Sequence, residues 1–394
     1  MTTQQFSTSL WTYLWDFVDE GYDAVFNHVK ENGIDSVSVA TAYHTGKFLL
    51  PHNPRRTVIF PEDGTVYFQP NEKLYGKLRP RINSLVKNGN SLQTVKAFAD
   101  KRGVQTRAWV VCCHNTAFGM THPDIACETA FGDKLFHNLC PVNNDVRKYI
   151  AALVADAASA GVDVIELEAF QFQGYVHGFH HEREGIVLSP AAQFLLGLCF
   201  CPSCTASAKR AGVEIEKIRS WTKTILRNFF NSSDDMSEKN PTVSSLPQDL
   251  FSPFFQWRTS VINSFAEQIM SAVKSAQVKI RPMVSIDPFG WTIAGADIKT
   301  LAEITGGVLA LGYVKDAAKL KALIQKMQYE IPEKEIILGI HVGLPESGGK
   351  KEFLERMNAA RECGIHAFNF YNYSFIPYEN LRWIKDALQN EMKI

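Results

Sequence analysis

Gly161-Val162-Asp163-Val164-Ile165-Glu166-Leu167-Glu168-Ala169-Phe170 is an apolar, β-branched run that carries two acids two residues apart. Side chains at i and i+2 of a strand share a face. Glu166 and Glu168 are therefore expected to point the same way, with Glu168 nearer the C-terminal end. Aromatics and a histidine cluster follow at once, Phe170 to Glu182, including His177, His180 and His181. Before the run, apolar spacing at Ile150, Leu153 and Val154 predicts a helix from about Asn144 to Ala160, closed by Gly161. A strand between helices belongs to a βα unit, and in such folds chemistry sits past the C-terminal ends of the strands.

The pattern repeats outward from this run. Strands are expected at Ser9–Trp15, Ser36–Ala42, Thr106–Cys113, Lys279–Ile286, Gly307–Tyr313, Glu335–Ile340 and Ala367–Tyr373, most of them followed by a helical pattern. About eight βα units predict an α/β protein, a (β/α)8 TIM barrel, with all 394 residues in one catalytic domain. An open doubly wound sheet is the rival, but no Gly-rich phosphate loop follows an early strand. Two stretches break the alternation. Thr57–Phe60 and Thr65–Phe68 flank Glu62-Asp63-Gly64, which predicts a β-hairpin inside an insertion after strand 2, spanning 45–90. Residues 170–254 form a long insertion after strand 4. It holds the His-rich loop, a cysteine cluster and a flexible Ser/Asn/Asp/Pro-rich excursion.

Lys plus Arg and Asp plus Glu both number 41, so the formal net charge is zero. That balance favours neither nucleic acid nor an anionic membrane. No apolar run reaches the length of a membrane span. Met1 to Ser9 lacks the pattern of a signal peptide. Cys112-Cys113 lies in an apolar run where disulfide pairing is not expected, so a reduced, cytoplasmic protein is the default. A homo-oligomer is left open.

In a barrel the residues just past each strand converge on one face. Here they are Trp15 and Asp16, Tyr43 and His44, His114 and Asn115, Glu168, Asp287 and Trp291, His341, and Asn369, Tyr371 and Asn372. A carboxyl pair flanking a glycosidic bond is enough for sugar hydrolysis. Glu168 is the candidate general acid, because desolvation at the end of an apolar strand raises a carboxyl pKa. Asp287 and Glu166 are candidates for the second carboxylate. The aromatics Trp15, Tyr43, Trp291 and Tyr371 suit stacking on sugar rings. Histidines 44, 114, 177, 180, 181 and 341, with Asn115 and Asn369, suit hydrogen bonding to hydroxyls. The substrate class is thus a small sugar or oligosaccharide. Two other readings stand beside hydrolysis. A sugar isomerase or epimerase would hold a divalent ion between Glu168, Asp287 and His341. A non-catalytic carbohydrate-binding barrel would bind without turnover.

Cys199-x-Cys201-x-x-Cys204 is a sharper signal. Three thiolates so close suit a structural zinc with a fourth ligand from elsewhere, Cys140 being the candidate and a loop His the alternative. No organic cofactor is expected.

That cysteine run, a few tens of residues after a strand-four Glu, resembles the zinc cluster of some β-galactosidases in the barrel clan of retaining glycoside hydrolases. Leu139-Cys140-Pro141, Val146-Arg147 and Val164–Glu168 are similar to segments of glycosidase-like barrels. The resemblance implies that Glu168, ending strand four, is the general acid/base. The chain departs from the clan at two points. Leu167 stands where the clan has Asn, and strand seven ends in His341 where the clan has its nucleophilic Glu. Glu346 lies five residues further on.

Overall fold

The computed structural model describes residues 6–176, 182–231, 241–242 and 245–389. Eight parallel strands close into a barrel: β1 Ser7–Thr12, β2 Ser36–Tyr43, β3 Gln105–Val111, β4 Val164–Glu168, β5 Lys279–Ser285, β6 Gly307–Leu311, β7 Glu335–His341 and β8 Ala367–Tyr371. Each pairs with its sequence neighbours, and β1 closes the ring by pairing with both β8 and β2. In β4, Glu166 lies beside Trp109 of β3 and Arg281 of β5. The strands read as near-continuous apolar runs because helices cover their outer faces and side chains fill the interior. All eight residues of β2 are buried.

The helices around the ring start and stop where their caps dictate. Asn143 accepts from the main-chain N–H groups of Asp145 and Val146 and opens the helix Asn144–Ala158. Ser189 caps Pro190–Leu196 by accepting from Ala192, with the proline in the first turn. The expected single helix over Thr205–Asn231 is two, Pro202–Arg210 and Ile215–Phe230. Strand one is shorter than expected. The chain leaves it at Thr12 and turns into the helix Leu14–Glu20, so Trp15 and Asp16 sit in a first helical turn.

An antiparallel pair does follow β2, with different partners from those expected. Val58–Ile59 pairs with Phe48–Leu49. Thr65–Val66 instead pairs with Ala42 and Tyr43 at the end of β2 and with Arg81–Ile82. The two runs flanking Asp63-Gly64 do not pair with each other. Most of the excursion before Gln248 (232–240 and 243–244), and His177, His180 and His181, lie outside the described residues.

Candidate active site

The inward positions of the strands build the site in layers. At the lower layer Glu166 is fully buried and accepts from three side chains on three strands: Trp11 Nε1 at 2.9 Å, Ser38 Oγ at 2.5 Å and Asn369 Nδ2 at 2.8 Å. The Arg107 guanidinium stands 3.7 Å away. Burial raises the Glu166 pKa, while Arg107 and the donors oppose it. This carboxyl ties β1, β2, β3, β4 and β8 together beneath the cavity rather than lining it. Asn369, expected to contact substrate, is instead one of its donors.

Two residues further along β4, Glu168 reaches the mouth. It lines a cavity of about 150 Å³ together with Trp11, Tyr43, Trp109, Met283, Leu311, Tyr313, His341 and Tyr371. Trp109 Nε1 donates to its carboxyl. Desolvation pushes Glu168 up to about 7, the Trp109 hydrogen bond works against that, and the charge of Glu166 adds to it. The cavity therefore holds a carboxyl that can be protonated near neutrality, inside walls of indole and phenol.

On β7, His341 Nδ1 meets the Glu346 carboxylate. Its ring stacks on Tyr313, centroids 3.9 Å apart and planes 10° apart, and meets Tyr371 edge-on at 4.8 Å. Burial and Arg356 lower its pKa, while Glu346 raises it. Tyr13 donates to Tyr43 at 2.9 Å, and burial holds the Tyr13, Tyr43 and Tyr313 phenols protonated. Tyr371 is pushed up to about 12 for the same reason.

The expected site residues separate into two groups. Tyr43, Glu168, His341 and Tyr371 come together around the cavity. The others that the structure describes lie elsewhere. Asp287 is exposed and caps the helix Pro288–Ala294 by accepting from Phe289 N at 2.8 Å, so it does not line the Glu168 cavity as a second carboxylate. Nor do Glu168, Asp287 and His341 form a ligand group, as an isomerase ion site would require; the four-cysteine group described below is the only such cluster among the described residues. Trp291 donates to Ser285 O at 2.7 Å. Asn115 caps the helix Thr116–Thr121. Trp15 is buried, stacked on Tyr13 at 4.1 Å. His44 stacks on Tyr43 and on His114, one step outside the cavity wall. Trp11, Trp109, Met283, Leu311 and Tyr313 complete the wall and are not among the residues expected from the sequence. Register and parity reveal two of them: Trp109 is the register partner of Glu166, which shares a face with Glu168, and Tyr313 lies two residues after Leu311.

A larger groove of about 980 Å³ lies on the flank between the helices Asn144–Ala158, Pro202–Arg210 and Gln248–Ala272. It presents Arg147, Arg210 and serines but no carboxylate or imidazole, so it has no group for acid–base chemistry at neutral pH.

Away from the mouth, Cys140, Cys199, Cys201 and Cys204 are buried with their sulfurs all within 4.8 Å of one another. Cys140 Sγ stands 3.4 Å from Cys204, 3.5 Å from Cys201 and 4.0 Å from Cys199. Thiolates about 2.3 Å from a tetrahedral ion stand about 3.8 Å apart, so the observed spacings fit a metal and are far from a disulfide. The group joins the strand Lys134–Leu139 to the start of the helix Pro202–Arg210.

No family model matches the chain, and no curated protein matches it in sequence. Among solved structures, the chain is similar to a β-galactosidase from Rahnella sp. R3, with TM-score 0.59 and 10% identity over 98% of this chain and 56% of that one. A β-galactosidase from Bacillus circulans sp. alkalophilus matches with TM-score 0.55 and 13% identity, over 94% and 50%. The α-L-fucosidase isoenzyme 2 of Paenibacillus thiaminolyticus matches with TM-score 0.54 and 10% identity, over 98% and 49%. The chain thus spans about half the length of these proteins. At such identities the likeness is one of fold: the chain carries a (β/α)8 barrel like those of glycoside hydrolases.

Proposed function

We propose that this chain is a carbohydrate-active enzyme, a glycoside hydrolase in which Glu168 is the general acid. The observation that carries the reading is a carboxyl at the C-terminal end of β4 inside an aromatic cavity, where desolvation pushes its pKa up to about 7. A protonated Glu168 gives its proton to the glycosidic oxygen as the C1–O bond breaks. The phenols of Tyr43, Tyr313 and Tyr371 serve as hydrogen-bond donors to hydroxyls. The indoles of Trp11 and Trp109 and the ring of Tyr313 supply flat apolar surface for a sugar face. A volume of about 150 Å³ equals that of roughly five waters, which suits one sugar ring rather than a chain of them. The solved β-galactosidases and α-L-fucosidase with this barrel support the substrate class.

The four thiols would hold a structural zinc, whose role is to pin the insertion after β4 to the barrel. It lies apart from the cavity and takes no part in proton transfer.

The test is a panel of p-nitrophenyl glycosides incubated with the unaltered chain and with Glu168→Gln. Release of nitrophenol from at least one member, reduced about 10²–10⁴-fold by the substitution, is expected. Equal rates would remove Glu168 from the chemistry. Binding of sugar without turnover would make the chain a carbohydrate-binding barrel.

A further inference from the structure

Hydrolysis needs a second group opposite the acid, either a nucleophile or a base for water. The carboxylates that the sequence offers do not fill that place. Glu166 is buried under three donors and an arginine, Asp287 is an exposed helix cap, and Glu346 does not line the cavity, its carboxylate meeting His341 Nδ1 instead. The phenols around the cavity stay protonated far above neutrality. Among the lining residues that leaves His341. It is the last residue of β7, as Glu168 is of β4, and only β5 and β6 separate the two strands. The two side chains therefore line the one cavity from different strands.

The position of Glu346 specifies the tautomer. Nδ1–H donates to the Glu346 carboxylate, so Nε2 carries the free lone pair. The stack on Tyr313 and the edge contact with Tyr371 hold the ring plane. Arg356, from the helix Lys350–Glu362, donates to the main-chain oxygen of His341 and so anchors its backbone. Tyr313, Glu346, Arg356 and Tyr371 are in contact with His341, and Glu168 shares its cavity. Burial and Arg356 favour its neutral, basic form, with Glu346 opposing.

We infer that His341, oriented by Glu346, is the general base that activates water in this cavity, and that glycoside cleavage proceeds by direct displacement with inversion at C1. The inference rests on the hydrolase reading above. In the step, water oxygen bonds to C1 while the C1–O bond to the leaving group breaks. Glu168 gives its proton to the leaving oxygen, and the water gives one of its protons to His341 Nε2. Glu168 ends as carboxylate and His341 as imidazolium, paired with the Glu346 carboxylate. Proton exchange with solvent resets both. His341 is then a catalytic residue and Glu346 a positioning residue.

The experiment follows the anomeric configuration of the first-formed product by proton NMR, using the unaltered chain and a cleaved p-nitrophenyl glycoside. Inversion is expected, and retention would overturn the inference without any substitution. His341→Gln is expected to lower kcat about 10²–10⁴-fold, and an unchanged rate would overturn it equally. Glu346→Gln is expected to lower kcat about 10–100-fold. It should also move the acidic limb of kcat/KM to lower pH, because the lost carboxylate no longer favours imidazolium. A Glu346 that only packs would leave that limb in place. Cleavage with retention removes the His341–Glu346 pair and leaves the hydrolase reading standing. Failure to cleave any glycoside, with Glu168→Gln indistinguishable, removes both.

Discussion

Glu166 and Glu168 are two residues apart on one strand face, yet they do different work. Three donors and Arg107 hold Glu166 as a fastener between strands. Glu168 has one indole donor and a partly apolar cavity, and so sits near neutrality. This has a consequence for stability. A carboxyl with its pKa near 7 when folded and about 4.3 when unfolded binds more protons in the native state between those values. Stability contributed by the group is therefore present at low pH and is lost as pH rises from about 4.3 to about 7. Glu168→Gln removes the titration. The Tm of the unaltered chain is expected to fall relative to the variant between pH 5 and pH 8, as read by thermal unfolding followed by circular dichroism. A difference between the two that does not change with pH would contradict the raised value.

Within single elements, close approach decides what the sequence pattern leaves open. Gly339 lies inside β7 at a position where β-branched residues would be expected. A Cβ there would stand 2.8 Å from the Trp11 ring and 3.2 Å from Leu309. The glycine thus makes room for the indole that donates to Glu166 and walls the cavity. Gly339→Ala is expected to destabilise the fold by about 1–3 kcal/mol through overpacking. If the chain hydrolyses glycosides as proposed, turnover should fall with it as Trp11 shifts. Gly76→Ala, with nothing within 4 Å, is the control and should change stability by less than about 0.5 kcal/mol. Urea unfolding measures both, and equal effects would show that Trp11 gives way at no cost. The short pairings after β2 make the same point. Thr65–Val66 has the composition of a hairpin arm, but two residues cannot hold a register alone, and they pair instead with Ala42 and Tyr43 at the end of β2.

At the scale of the whole molecule, the cysteine group links residues far apart in sequence. Cys199, Cys201 and Cys204 announce themselves by spacing, whereas Cys140 joins them only because the chain returns to the same place. With zinc bound, elemental analysis is expected to find about one zinc per chain. Treatment with a strong chelator, or Cys201→Ser, should lower the Tm by several degrees, since metal-binding energy is folding energy in such sites. A preparation free of zinc with an unchanged Tm would mean that four thiols pack as core. Among the described residues, no helix is long and apolar enough to cross a membrane.

Read alone, the sequence determined the βα alternation, the number of strands and the place of Glu168 at the end of the fourth. Period and parity are local properties that survive without knowledge of neighbours. It also marked Tyr43, His341 and Tyr371, because a strand end in a parallel barrel points to one face wherever it lies in the chain. Only the tertiary structure decided which polar residues meet. Asp287 and Asn115 have the composition of site residues, but their nearest unsatisfied donors are the N–H groups of the helices they begin. Capping is satisfied within two or three residues, whereas facing Glu168 requires the ring to close. Trp11, Trp109 and Tyr313 read as core, and they are core on one side and cavity wall on the other. The role of Glu346 likewise depends on the loop after β7 folding back on His341. Glu168 was legible because burial follows from its own strand. The pairing of His341 with Glu346 was not, because it is defined by a neighbour across a loop.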